Sequence, residues 1–345
     1  MTPVVISPKA KGTFLGVPDM PLLGLGLAAL GRPGYINLGH GSDLTTKSVE
    51  EMKAQCADVL TAALGLGLRY FDAARSYGRA EEFLSAWLGG LSAEQLGRTV
   101  VGSKWGYYYT ADWQVDTGGK PHEVKEHTAP NLRKQAGETQ ALLGPHLRLY
   151  QIHSATLESG VLDAADVLAE LESLKKQRGW RMGLSLSGVQ QPVTLRKAMS
   201  VRMSDGQPLF DCVQATYNLL EPSVGPALQE AADAGMSIIV KEGLANGRLT
   251  PRNTHPGFAA KLAALQQAAA KYGTTVDALA LACVIVQPFR PMVLSGATTA
   301  EQLASNAAAL ELAGRLQDED VQALHEQLAQ TPEDYWAERS ALAWN

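Results

Sequence analysis

Leu66-Gly67-Leu68-Arg69-Tyr70-Phe71-Asp72-Ala73-Ala74-Arg75-Ser76-Tyr77-Gly78 puts a carboxylate at the end of an apolar run and a tyrosine five residues beyond it. The run from Leu66 to Phe71 reads as a buried strand. A phenol is a poor proton donor near neutrality, because its ordinary pKa is about 10. If Tyr77 is to give up a proton, its anion must be stabilised. A buried Lys⁺ held by a carboxylate does that. The stretch therefore asks for a lysine from elsewhere in the chain.

Working outward, similar short apolar runs lie near 22–27, 99–104, 147–152, 181–186, 211–216, 236–241 and 291–295. Together with 67–72 they are rich in Val and Ile or apolar throughout, as parallel strands covered on both faces are. Helical patterns fall between them over 49–64, 79–90, 131–143, 161–178, 191–199, 223–234, 275–287 and 299–311, with two more near 257–271 and 316–329. Eight strands alternating with eight helices predict an α/β fold, a TIM (β/α)8 barrel, with a doubly wound sheet as the alternative. No Pro/Ser-rich linker divides the chain, so we expect one domain over 1–345, with its core over about 21–311 and a carboxy-terminal helix and tail over 312–345.

Composition narrows the function. The 345 residues are 46% hydrophobic and 19% charged, which supplies enough apolar side chains for one large barrel. A net charge of −5 with scattered lysines and arginines gives no expectation of a nucleic-acid partner. No apolar run reaches the roughly 18 residues of a membrane span. Met1 to Lys11 lacks the charged start and apolar core of a leader. Cys56, Cys212 and Cys283 are odd in number, far apart and outside any CxxC unit, so each is expected as a buried thiol in a reducing, cytoplasmic setting. The pattern leaves the oligomeric state open.

Lys104 ends the run Thr99-Val100-Val101-Gly102-Ser103-Lys104, and His153 ends Leu147-Arg148-Leu149-Tyr150-Gln151-Ile152-His153. Alone, each candidate fits a structural role: Asp72 a helix cap, Tyr77 a packed ring, Lys104 a surface residue, His153 a satisfied core histidine. Together, Asp72, Lys104 and His153 finish successive strands and Tyr77 follows the first of them. In a barrel such groups converge at one mouth. Two long loops, 31–47 and 106–130, also follow strand ends. The second holds Trp105, Tyr107, Tyr108, Tyr109 and Trp113 at its start. Loops of this length serve function or decorate the surface.

From about Pro21 to Asn306 the chain resembles the aldo-keto reductase superfamily. The matching pieces are Gly24-Leu25-Gly26, Phe71-Asp72-Ala73-Ala74 with Tyr77-Gly78, Lys104, Tyr150-Gln151-Ile152-His153, Gln214-Ala215-Thr216-Tyr217-Asn218, and Ser295-Gly296-Ala297-Thr298-Thr299 with Gln302 and Asn306. The resemblance implies an eight-stranded barrel with a nicotinamide cofactor extended over its mouth. It implies Tyr77 as general acid, Lys104 as the cation lowering its pKa, Asp72 holding Lys104, and His153 orienting the carbonyl. It also implies cofactor contacts at Gly26, Ser185, Gln214, Lys241, Leu244, Ser295, Gly296, Ala297, Thr298, Gln302 and Asn306, with Gln214 on the carboxamide.

Departures fall on the cofactor side. Leu186 stands where the family carries Asn, and Lys241-Glu242 replace an aromatic or small residue and a serine. Lys241 is expected either at a pyrophosphate or paired with Glu242. Gly296 and Gln302 replace cations that grip a 2′-phosphate in many members, although the helix start there still favours anions. NADP(H) is expected first on the resemblance, with NAD(H) close behind. Two near-motifs fail. Ala29 breaks GxGxxG after Gly24 and Gly26, and Glu126 breaks HExxH after His122, so no metal is expected.

The expected function is reduction of an aldehyde or ketone by a soluble barrel enzyme acting on a small carbonyl or sugar substrate. The alternatives are an NAD-dependent aldose or polyol dehydrogenase running in the oxidation direction, and a nicotinamide-binding sensor or accessory subunit with little turnover. Tyr335, Trp336 and Trp344 are available to a substrate pocket, or to packing.

Overall fold

The strands of the computed structural model are β1 Lys11–Phe14, β2 Val17–Pro21, β3 Leu23–Gly26, β4 Tyr70–Asp72, β5 Val100–Trp105, β6 Tyr107–Tyr109, β7 Glu123–Lys125, β8 Leu147–Ala155, β9 Arg181–Leu186, β10 Cys212–Thr216, β11 Ser237–Lys241 and β12 Met292–Ser295. Residues 4–44 and 46–345 are described; Met1 to Pro3, within the stretch read for a leader, and Thr45, within the first long loop, lie outside them. β3, β4, β5, β8, β9, β10, β11 and β12 form a closed barrel in chain order, and every neighbouring pair is parallel. Closure gives the TIM barrel and excludes the doubly wound sheet. These strands coincide with the eight apolar runs to within a few residues.

Two features make the barrel pack. Its interior is filled by Tyr70, Leu149, Cys212, Ile239, Met292 and Leu294, joined at the bottom by Phe14, Leu15 and Met20 from the hairpin β1–β2. The Leu15 N–H donates to Ser237 Oγ at 3.0 Å, at the first residue of β11, so the hairpin plugs the amino-terminal end. That leaves the carboxy-terminal end as the open mouth. The Tyr70 ring fits inside because two neighbours are glycines. A Cβ on Gly24 would lie 2.9 Å from the Tyr70 carbonyl oxygen, and one on Gly102 would strike the Tyr70 hydroxyl.

The expected helices surround the barrel with boundaries shifted by a few residues. The helix Val276–Ile285 is buried on every side, as its apolar composition dictates, and Thr275 caps it by accepting from the Ala278 N–H. The pattern over 299–311 divides into Ala300–Ala307 and Ala309–Leu312. Outside the sequence reading lie β1–β2, the hairpin β6–β7 inside the second long loop, and the helices His40–Asp43, Ala93–Arg98 and Pro332–Ser340. No single described helix is long and apolar enough to cross a membrane.

Candidate active site

Asp72 closes β4 and is almost wholly buried. Its Oδ1 accepts from Tyr70 Oη at 2.8 Å, Gln151 Nε2 at 3.2 Å and Gln214 Nε2 at 3.2 Å. Its Oδ2 accepts from Lys104 Nζ. Lys104, fully buried on β5, also donates to the Ala73 carbonyl at 3.0 Å and to Tyr77 Oη at 3.2 Å. A buried ammonium is costly unless its protons are used, and here all three are. The carboxylate, the ammonium and the phenol thus form one chain of contacts across the mouth.

The turn bearing Tyr77 is fixed from both sides. Beneath it, the Arg75 N–H donates to the Lys104 carbonyl at 3.0 Å. The Arg75 guanidinium grips the buried Glu81, which also accepts from Ser103 and Thr139. Beside it, Gly78 has φ +57 and packs directly on Gly31, where any Cβ would collide with the facing backbone. Glycine at both positions lets the first long loop start flush against the Tyr77 turn.

His153 reaches the site because β8 carries a bulge. Register with β9 shifts between Ile152 and Ala155, and Ser154 takes φ +51. The His153 ring meets Tyr77 edge-on at 5.4 Å between centroids, and its Nδ1 lies 3.3 Å from Ser76 Oγ. Burial, then the neighbouring charges of Lys104, Lys241 and Arg32, hold its pKa well below the ordinary value, so the ring is neutral at neutral pH.

Arg32 completes the cluster and was not singled out from the sequence. It is buried, donates to Glu123 Oε1 at 2.6 Å and to the Ser76 carbonyl at 3.1 Å, and lies 5.3 Å from the Tyr77 ring centre. The hairpin β6–β7 supplies Glu123. The only available signal was its place in a long loop after a strand end. Burial pushes the Tyr77 hydroxyl well above its ordinary pKa, and Asp72 and Glu123 add to that. Arg32 pulls it down. The Lys104 ammonium, 3.2 Å from Tyr77 Oη, faces the same oxygen, while burial keeps the proton on the phenol.

From Tyr77 a groove of about 450 Å³ runs to Thr298 and Gln302 at the start of helix Ala300–Ala307. Gly26, Gln214, Lys241, Leu244, Ser295, Gly296, Ala297, Thr298, Gln302 and Asn306 line it, together with Asp72 and Tyr77. Ser185 does not; its Oγ accepts from the Ser154 N–H at 2.8 Å. Gln214 faces the groove and donates one of its two amide N–H groups to Asp72 at 3.2 Å. Lys241 donates to Thr216 Oγ1 at 2.7 Å and lies 3.7 Å from Glu242, the pairing that was one of its two expected partners. Burial lowers its pKa to about 8 against the pull of Glu242. Glu242, at φ +57, binds Arg339 of the helix Pro332–Ser340. Burial opposes its ionisation, but Arg339 and Lys241 hold its carboxyl down at about 2.

The residues fit an elongated polar ligand. His40 and Asn246 line this groove, and among the described residues neither ring nitrogen of the buried His40 nor Oδ1 of Asn246 has a hydrogen-bond partner. At the tail, Tyr335 is packed, bonding Asn218 and Glu242. Trp344 reaches the site's edge, stacking on His122 at 4.1 Å and lying 4.8 Å from Arg32.

The sequence model of the Aldo/keto reductase family matches residues 23–329. A curated relative, the NADH-specific methylglyoxal reductase of Escherichia coli K12, is 25% identical over 303 residues, covering 79% of this chain and 86% of that one. Among solved structures, an aldo-keto reductase from Bacillus halodurans in its holo form superposes with a TM-score of 0.68 at 17% identity, covering 95% of this chain and 97% of the other. A Pseudomonas aeruginosa protein classed as an aldo-keto reductase gives a TM-score of 0.59 at 24% identity over 85% and 90%.

Proposed function

We propose that this chain, which belongs to the aldo/keto reductase family, reduces a small aldehyde or ketone with a nicotinamide dinucleotide held in the groove beside Tyr77. The observation that carries the reading is Lys104 Nζ, which contacts Asp72 and lies 3.2 Å from Tyr77 Oη at the head of that groove.

When bound, the nicotinamide supplies the hydride. Tyr77 gives its Oη proton to the carbonyl oxygen as that oxygen gains negative charge. A nascent alkoxide is a far stronger base than phenolate, so a firmly held phenol proton still moves. Lys104 and Arg32 stabilise the phenolate left behind, and Asp72 keeps Lys104 charged and aimed. His153 spends Nδ1 on Ser76, which leaves Nε2 to orient the substrate oxygen. Gln214, Ser295, Asn306 and the helix start at Ala300 hold the dinucleotide along the groove. The intact set of Asp72, Tyr77, Lys104 and His153 favours turnover over a sensing role. The resemblance puts NADP(H) first, whereas neither Gly296 nor Gln302 offers a 2′-phosphate a cation.

The test is a nicotinamide absorbance assay with both cofactors on a panel of aldehydes, ketones and aldoses that includes methylglyoxal. Reduction of at least one carbonyl supports the reading. Cofactor binding without turnover on any of them favours the sensor.

A further inference from the structure

We propose that Asp43 makes the groove select a dinucleotide without a 2′-phosphate, NAD(H) over NADP(H). The inference rests on the reductase reading above.

Asp43 ends the short helix His40–Asp43 in the first long loop and lines the groove at the end remote from Tyr77. Thr298 Oγ1 donates to its Oδ2 at 3.4 Å, and Thr298 in turn contacts Gln302. With a nicotinamide at Tyr77, the adenosine half of an extended dinucleotide falls at this end. The guanidinium lining that end is already engaged. Arg252 binds Asp43 through both oxygens, at 2.7 and 2.6 Å, and also donates to the carbonyls of Leu38 and Gly39. Asp277 lines the same groove. Lys47 is not among the lining residues; its Nζ lies 3.8 Å from where a Cβ on Gly41 would be.

Among the described residues lining this end, two carboxylates stand against one guanidinium, with Lys47 outside the lining but near enough for its charge to reach His40. A phosphate monoester brings a charge of about −2 at neutral pH. To be accommodated beside Asp43 it must either face a carboxylate or take Arg252 away from it. Burial opposes ionisation of Asp43, but hydrogen bonds from Arg252 and Gln302 hold its carboxyl below the usual range. It is thus an anion with no proton to donate to a phosphate. A ribose 2′-hydroxyl has the opposite chemistry: it donates, and Asp43 accepts.

The experiment is a fluorescence titration of the full chain with NADH and NADPH, for wild type, Asp43→Ser and Arg252→Met, at low and high salt. Wild type is expected to bind NADH at least tenfold tighter than NADPH, with the gap narrowing as salt screens the carboxylate. Asp43→Ser is expected to cut the ratio of the two dissociation constants at least tenfold by freeing Arg252. Arg252→Met removes the same loop-to-loop latch but keeps the carboxylate, so its ratio is expected to hold or rise. Using a ratio within each variant cancels any general loss of fold. Equal or tighter NADPH binding by wild type overturns the proposal, as does an equal shift of the ratio in both variants, which marks the pair as a latch only. Binding of neither dinucleotide overturns the reductase reading itself.

Discussion

The guanidinium carbon of Arg32 lies 5.3 Å from the centre of the Tyr77 ring, on the first long loop, while Lys104 approaches the same phenol from the barrel wall. Tyr77 is therefore flanked by two cations, each tied to its own carboxylate, Glu123 for Arg32 and Asp72 for Lys104. A desolvated cation–π contact is worth about 2 kcal/mol. If that is lost from a transition state bearing phenolate charge, the rate falls roughly thirtyfold. Arg32→Met is thus expected to lower kcat by tenfold or more while leaving the dissociation constant of the dinucleotide within about threefold. Because Glu123 loses its partner, stability falls too, and Arg32→Met/Glu123→Gln is expected to regain stability without regaining the rate. Steady-state kinetics beside urea unfolding of both variants checks this. A double variant with wild-type kcat would restrict Arg32 to a structural role.

The interior of the barrel makes a packing prediction. A Cβ at Gly102 would run into the hydroxyl of Tyr70, which is itself confined by Gly24 and Phe14. Gly102→Ala is expected to destabilise by about 1–3 kcal/mol, the usual cost of overpacking. In a Tyr70→Phe background the clash is relieved, so Gly102→Ala should cost less there, with a coupling above about 0.5 kcal/mol. Additive urea-unfolding values would show that the two positions do not share that space.

Stability should fall on the acid side of neutrality. Burial lowers the pKa of His40 to about 4, that of His127 to about 4, and that of His153 well below its ordinary value. The unfolded chain protonates these rings near pH 6.5. The unfolded state therefore binds more protons below that pH, and the free energy of unfolding drops as pH falls. Each such proton contributes at most about 1.4 kcal/mol per pH unit, less for the partly exposed His127. Urea midpoints measured from pH 7 down to pH 5, with the window itself taken from those ring pKa values, are expected to decline steadily. A flat profile would mean that these imidazoles find partners when charged.

The apolar runs made the barrel readable, because each strand is buried on both faces and therefore apolar throughout. Asp72, Lys104 and His153 stood out because a charged or polar residue ending such a run needs a reason. What escaped depends on tertiary contact rather than on period. Arg32 is one arginine in an irregular loop, and only the folded chain brings it to Glu123 on a hairpin 91 positions away. That hairpin is short, exposed on one side and without clean alternation. β1–β2 carries Gly12, Gly16, Pro18 and Asp19, which read as turn residues. Gln214 and Ser185 lie on the strands expected, and their side chains also bond Asp72 and the Ser154 N–H. Lys241 and Glu242 looked anomalous because their partners, Thr216 and the carboxy-terminal Arg339, are remote in sequence.

The central claim is that Tyr77 is the proton donor for hydride reduction. The most direct measurement is single-turnover oxidation of the bound nicotinamide in Tyr77→Phe against wild type, on a carbonyl the wild type reduces, with dinucleotide binding measured on the same samples. Loss of a positioned acid costs roughly 10²–10⁴ in rate. The predicted result is a fall in that range with the dinucleotide still bound at wild-type affinity. A variant that turns over within about threefold of wild type would contradict it.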